Sequence, residues 1–184
     1  MNWQEAIKNA LSQFEGIEIS DSNANAEYLA MYVLGIWNKS ELHKYLSAIL
    51  SQVQEIKYEE VIARRLNHEP LQHIIGETEF FGLRLFTSPA ALIPRPDTEI
   101  LVEEVLKEIS VSSHTPLKIL DIGTGSGAIA LALAVKLPHA LITGIDISPD
   151  AVALANKNKE RLKLENVSFE VSLYRDEGSE QQET

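Results

Sequence analysis

The sequence predicts an α/β protein: a small N-terminal helical bundle, a β-hairpin linker and an incomplete Rossmann-like domain. Three observations predict it. Apolar residues recur at helical spacing through about residue 68. Composition then shifts at Glu69-Pro70 toward β-favouring residues broken by Gly76 and Gly82. Finally, Ile119 to Ala130 reads as a buried strand, a glycine turn and the start of a helix. The expected domains are 1–68, a linker at 69–95, and 96–184.

In the bundle, Trp3, Ile7, Ala10, Leu11 and Phe14 share one helical face, and Gly16 ends that segment. A second helix is expected from a cap at Asp21 or Ser22 to Gly35. Ser40 can cap a short third. A fourth spans about Gln52 to Leu66, with Val53, Ile56, Val61, Ile62 and Leu66 on one side. The linker carries Ile74, Ile75, Thr78, Phe80, Phe81, Leu83, Leu85 and Phe86 and is expected to form a hairpin or small sheet. In Leu92-Ile-Pro-Arg-Pro-Asp-Thr-Glu99, Pro94 and Pro96 hold the backbone extended around Arg95. A stiff linker explains the prolines. A guanidinium pinned beside Glu99 points instead to an ordering role at a site.

The last domain opens with a helix from about Asp97 to Ile109 carrying Ile100, Leu101, Val105, Leu106 and Ile109. A strand at Leu117 to Asp121 follows, then the glycine loop and a helix from about Ser126 to Lys136. Gly123, Gly125 and Gly127 are expected to let backbone N–H groups approach a ligand at the positive end of that helix. Gly123, Gly125 and Ala128 also satisfy the dinucleotide pattern, so NAD competes as the ligand. Asp121 separates the two readings. Its carboxylate would repel a pyrophosphate and suits a cationic amino group, such as the methionine end of S-adenosylmethionine. A second strand, Leu141 to Ile145, ends in Asp146, where a βαβ unit places an acid on a ribose diol. Ser148 and Pro149 start the next helix, and Val167 to Val171 is a third strand. Residues 175–184 carry no apolar side chain and are expected to be disordered.

Bulk properties exclude several classes. The 184 residues suit one large or two small domains. No apolar run of membrane-spanning length and no signal leader are read, and cysteine is absent, which fits a cytoplasmic location. A net charge of −11 argues against a broad nucleic-acid surface. Arg64-Arg65 and Lys157 to Lys163 are read as solvated helix faces. His43, His68, His73, His114 and His139 suggest no metal site.

Together these stretches resemble the glutamine methyltransferases of peptide-chain release factors, the HemK family. Arg64-Arg65, Glu69-Pro70-Leu71-Gln72-His73-Ile74-Ile75-Gly76 and Glu79-Phe80-Phe81-Gly82 resemble its interdomain hairpin. Leu92 to Glu99 resembles its signature before the catalytic domain. Asp121 to Ala130 with Gly144-Ile-Asp-Ile-Ser-Pro149 resembles its cofactor site. The resemblance implies a class I S-adenosylmethionine-dependent methyltransferase domain behind a release-factor-binding bundle. The acceptor would be the side-chain nitrogen of the Gly-Gly-Gln glutamine in bacterial class I release factors. It further implies that Gly123 to Gly127, Thr124 and Ser126 among them, cradle the methionine end beside Asp121, that Asp146 holds the ribose, and that Tyr174 lies beside adenine.

Two departures stand out. Leu173 occupies the position where the family carries an Asp on the adenine amino group. The family's Asn-Pro-Pro-Tyr block, which orients and activates the acceptor amide, is also missing: seven prolines are present and no two are adjacent. Only three parallel strands are readable, and the first would be an exposed edge. The expectation is therefore a C-terminally truncated, inactive member with no catalytic residue of its own, its tail after Ser172 shaped by a shifted reading frame. The alternatives are a non-catalytic release-factor-binding module, a methyltransferase acting on a nucleic-acid amino group, and a dehydrogenase.

Overall fold

A computed structural model describes residues 1–17, 19–112 and 117–172. Leu173, Tyr174 and the predicted disordered tail lie outside the described residues, as does His114. The chain forms two compact units, Met1–Ile75 and Gly76–Thr184.

The first unit is helical. Its helices are α1 (Trp3–Glu15), α2 (Ser22–Leu34), α3 (Lys39–Leu42), α4 (Gln52–Leu66) and α5 (Leu71–Ile75). Helices α1 and α4 start in full capping boxes: Asn2 with Glu5, and Ser51 with Gln54. Trp3, Phe14, Leu29, Tyr58, Val61 and Ile62 form the core, with the Trp3 and Tyr58 rings edge to face at 5.3 Å. The Tyr58 hydroxyl, buried in that core, donates to the Ala26 carbonyl at 3.0 Å. Tyr58→Phe is therefore expected to lower stability by about 1 kcal/mol in a urea titration, and an unchanged midpoint would refute that role.

Several local expectations are corrected here. Asp21 precedes α2 in a left-handed conformation without a side-chain cap, and Ser22 donates to Ile19 O instead. Asn38, not Ser40, caps α3, its side-chain oxygen accepting from Ser40 N. On α4 the buried stripe is Tyr58, Val61 and Ile62, whereas Val53 and Ile56 face solvent. Leu71–Ile75 is a short helix rather than a strand, because the Pro70 carbonyl accepts from His73 N and Ile74 N and closes a turn. Arg64 and Arg65, read as a solvated helix face, are half-buried and internally bonded. Arg64 pairs with Glu69 through two hydrogen bonds, and Arg65 donates to Asn25 Oδ1 and Glu69 O.

The second unit opens with the antiparallel hairpin β1 (Glu77–Phe80) and β2 (Leu83–Phe86). Phe81 and Gly82 both have positive φ, as a two-residue primed turn requires. Helix α6 (Thr98–Ser112) follows, then β3 (Lys118–Ile122), α7 (Ala128–Lys136), β4 (Leu141–Asp146), α8 (Pro149–Leu162) and β5 (Val167–Val171). On α6 it is Val102 that is fully buried, while Ile100 and Leu101 stay exposed. The three later strands form a parallel sheet in the order β3-β4-β5. Leu131 of α7 and Ala155 of α8 meet near Phe169 of β5, so both helices cover the face that carries Ile119, Ile142, Val167 and Phe169. Leu120 and Ile122, on the other face, are both 53% exposed. Among the described residues, β3 is paired on one edge only.

Candidate cofactor site

The site forms where β3 and β4 end. Gly123, Gly125 and Gly127 have φ of 74°, 56° and 80°, and these values bend the chain sharply between β3 and α7. The glycines differ in what constrains them. At Gly123 a Cβ would meet nothing within 4 Å, so that side of the loop is open. At Gly127 it would lie 2.8 Å from Phe169 Cζ, so this glycine serves packing.

Four of the loop amides are hydrogen-bonded within the protein. Gly123 N and Thr124 N both donate to Ile145 O, at 2.8 and 2.9 Å. Gly125 N donates to Asp146 Oδ2 at 2.9 Å, and Gly127 N donates to Thr124 O. At the start of α7 the backbone N–H of Ala130 favours the charged form of Asp121. With the Gly123, Thr124, Gly125 and Gly127 donors bonded internally, the loop is a poor anion site. What it offers instead is carbonyl and carboxylate oxygen.

Asp121 and Asp146 frame the loop. Asp121 Oδ2 accepts from Thr124 Oγ1 at 2.7 Å, while Asp146 accepts from Gly125 N and, through Oδ1, from Ser148 N at 3.0 Å. Each oxygen of Asp146 thus has one protein partner and lone-pair capacity left over. Burial pushes the Asp121 carboxyl above the ordinary carboxylate range; the donors at Thr124 and Ala130 oppose that, and the Asp146 charge adds to it. Below the unfolded-state value of 3.8 the neutral acid costs the fold nothing, and stability is lost as pH rises through the folded value. Asp121→Asn is therefore expected to raise the melting temperature at pH 7, with the gain shrinking toward about pH 4. A variant less stable than the parent at pH 7 would contradict this.

The remaining candidates are placed as follows. Thr124 and Ser126 are buried beneath the loop. Arg95 is exposed and makes no pair with Glu99. Glu99 Oε1 instead accepts from Phe81 N at 2.9 Å and braces the hairpin turn. The segment before Arg95 does reach the site, since a Cβ on Gly125 would lie 3.7 Å from Ala91 Cβ. Tyr174 falls outside the described residues. The structure gives a packing reason for Gly144 and adds Asn158, which the sequence reading did not single out. Gly144 carries no Cβ because one would sit 2.5 Å from Phe169 Cδ1 and 2.6 Å from Thr124 Oγ1. Asn158 on α8 is fully buried and bonds the loop carbonyl of Ser126 at 3.0 Å. The signal for it was an amide on the stripe of Ala151, Leu154 and Ala155. No group of His, Asp and Glu among the described residues is arranged to hold a metal ion. No helix among them is long and apolar enough to cross a membrane.

Comparison with known proteins adds the following. A family profile described as the PrmC N-terminal domain matches residues 5–76, and one described as a methyltransferase domain matches residues 113–183. A release factor glutamine methyltransferase of Koribacter versatilis is 39% identical over 172 residues, covering 94% of this chain and 60% of the relative. That of Escherichia coli K12 is 40% identical over 167 residues, covering 91% and 58%. The chain thus spans about three fifths of the length of the curated relatives it matches. Among solved structures, a SAM-dependent methyltransferase from Aquifex aeolicus is 28% identical over 43% of each chain, with a TM-score of 0.36.

Proposed function

Starting from a chain that belongs to the release factor glutamine methyltransferase family, we propose that its second unit binds S-adenosylmethionine as methyl donor. The observation that carries this reading is the spent-donor loop between two acids: Gly123, Thr124, Gly125 and Gly127 keep their N–H groups inside the protein, and Asp121 and Asp146 stand on either side. A pyrophosphate needs free donors and meets two carboxylates here, so the dinucleotide reading falls away. A methionine end brings its own cationic amino group, which the Asp121 carboxylate attracts and which relieves the repulsion between the two acids. The ribose brings two hydroxyl donors to the free lone pairs of Asp146. Gly123, open on its outer side, leaves room for the ligand's chain.

The donor supplies an electrophilic methyl on a sulfonium. In the proposed reaction the acceptor is the side-chain nitrogen of the glutamine in the Gly-Gly-Gln motif of class I release factors, and the location is the cytoplasm. The helical unit serves as the release-factor docking part. The described residues bind and orient the donor, and none is assigned to activating the acceptor nitrogen, for which these 184 residues contain no Asn-Pro-Pro-Tyr run. Calorimetric titration with S-adenosylhomocysteine, followed by a labelled-methyl assay on a release factor, tests both halves. Binding without transfer by these 184 residues is expected. Failure to bind would overturn the donor site, and transfer would overturn the requirement for the missing block.

A further inference from the structure

Asn158 is 0% exposed, on a helix face otherwise lined with alanine and leucine. An amide placed there is costly unless every polar atom is bonded. Its Oδ1 accepts from Phe86 N at 2.6 Å, and its Nδ2 donates to Phe86 O at 3.2 Å and to Ser126 O at 3.0 Å. One side chain thus holds the end of β2 and the glycine loop together. The bonds that tie Gly123, Thr124 and Gly125 to neighbouring elements run to strands: Gly123 N and Thr124 N to Ile145, Thr124 Oγ1 to Asp121, and Gly125 N to Asp146. Asn158 is the polar tie on the helix side, at the residue between Gly125 and the packing glycine Gly127. The strand it grips leads into the segment that carries Ala91, whose Cβ lies 3.7 Å from where a Cβ on Gly125 would stand.

We infer that Asn158 is a positioning residue for donor binding. It sets the glycine loop, and through Phe86 the chain running from Ala91 to Glu99, at the spacing the donor occupies. The inference rests on the donor-site reading above. It differs from a purely structural role in a way that Asn166 makes testable. Asn166 Nδ2 also bonds three backbone carbonyls, those of Ala134, Leu137 and Ala140, but at the opposite end of the strands from the glycine loop.

The experiment compares Asn158→Ala, Asn158→Asp and Asn166→Ala in the full 184-residue chain. S-adenosylhomocysteine affinity is measured well below the melting temperature, and amide hydrogen exchange at Gly125 and Gly127 is followed without ligand. Both Asn158 variants are expected to weaken affinity and to speed exchange at Gly127 by about tenfold or more, because each removes the donor to Ser126 O. Asn166→Ala should lower the melting temperature comparably and leave both readouts at parent values. If Asn158→Ala matches Asn166→Ala in affinity and exchange, the positioning role is wrong while the donor site stands. If the unaltered chain does not bind S-adenosylhomocysteine, the site reading fails and the role falls with it.

Discussion

Gly127→Ala is expected to destabilise the Gly76–Thr184 unit by about 3–4 kcal/mol, a sum of left-handed strain and core overpacking. The residue sits at φ 80°, where an L side chain is strained whatever space surrounds it. Here there is no space. A Cβ would meet Phe169 Cζ at 2.8 Å, Ala155 Cβ at 3.1 Å and Leu131 Cδ1 at 3.2 Å, all belonging to the sheet and helices that form the core. Gly123→Ala is the matched control, because its φ of 74° carries similar strain with nothing within 4 Å. That variant should cost about 1–2 kcal/mol. Both tryptophans, Trp3 and Trp37, lie in the helical unit, so their fluorescence follows that unit, and urea unfolding of the second unit should be read by far-UV circular dichroism. Equal losses for the two variants would refute the packing assignment.

Asp146→Ala is expected to weaken S-adenosylhomocysteine binding by about a hundredfold, or about 2.8 kcal/mol. Two charge-assisted bonds in the protein, from Gly125 N and Ser148 N, depend on this carboxylate, as does the proposed contact with the ribose diol. The alanine variant removes the ligand contact and frees the middle of the loop at once. Asp146→Asn separates the two contributions. Its remaining carbonyl can still accept one backbone N–H, but its amide group faces the other with a second donor. It should therefore bind little better than the alanine variant. An affinity within about threefold of the parent for either would overturn the assignment.

Much of this architecture was legible because it rests on local chemistry. Gly123, Gly125 and Gly127 behind an apolar strand mark a strand-to-helix turn wherever they occur, and Ser148-Pro149 begins α8 as capping rules require, with Ser148 Oγ accepting from Ala151 N. What was illegible depends on partners distant in sequence. Ile74 and Ile75 favour a strand by type, yet burial of Ile74 in the helical core and the Pro70 turn decide for a helix. Val53 and Ile56 lie at helical spacing beside Val61 and Ile62, and periodicity cannot say which of two apolar stripes a core will take. The fate of the loop amides is the clearest case. Whether Gly123 N is offered to a ligand depends on the Ile145 carbonyl of the next strand, and no spacing rule records that. Arg95 and Glu99 show the converse: a plausible local pair gives way to a bond that the Phe81 amide donates to Glu99.

The order β3-β4-β5 has a consequence for how the chain acquires its shape. Each ladder joins strands that are neighbours in sequence, with Ile122 beside Ile145 and Ile142 beside Val167 and one helix between each pair. The hairpin before them is more local still. No described strand must wait for a partner beyond its neighbour in sequence, so each parallel ladder closes over a single helix and carries less loop-closure entropy than a pairing of distant strands would. During synthesis, the glycine loop gains its anchors on Ile145 and Asp146 when β4 emerges and its tie to Asn158 only with α8.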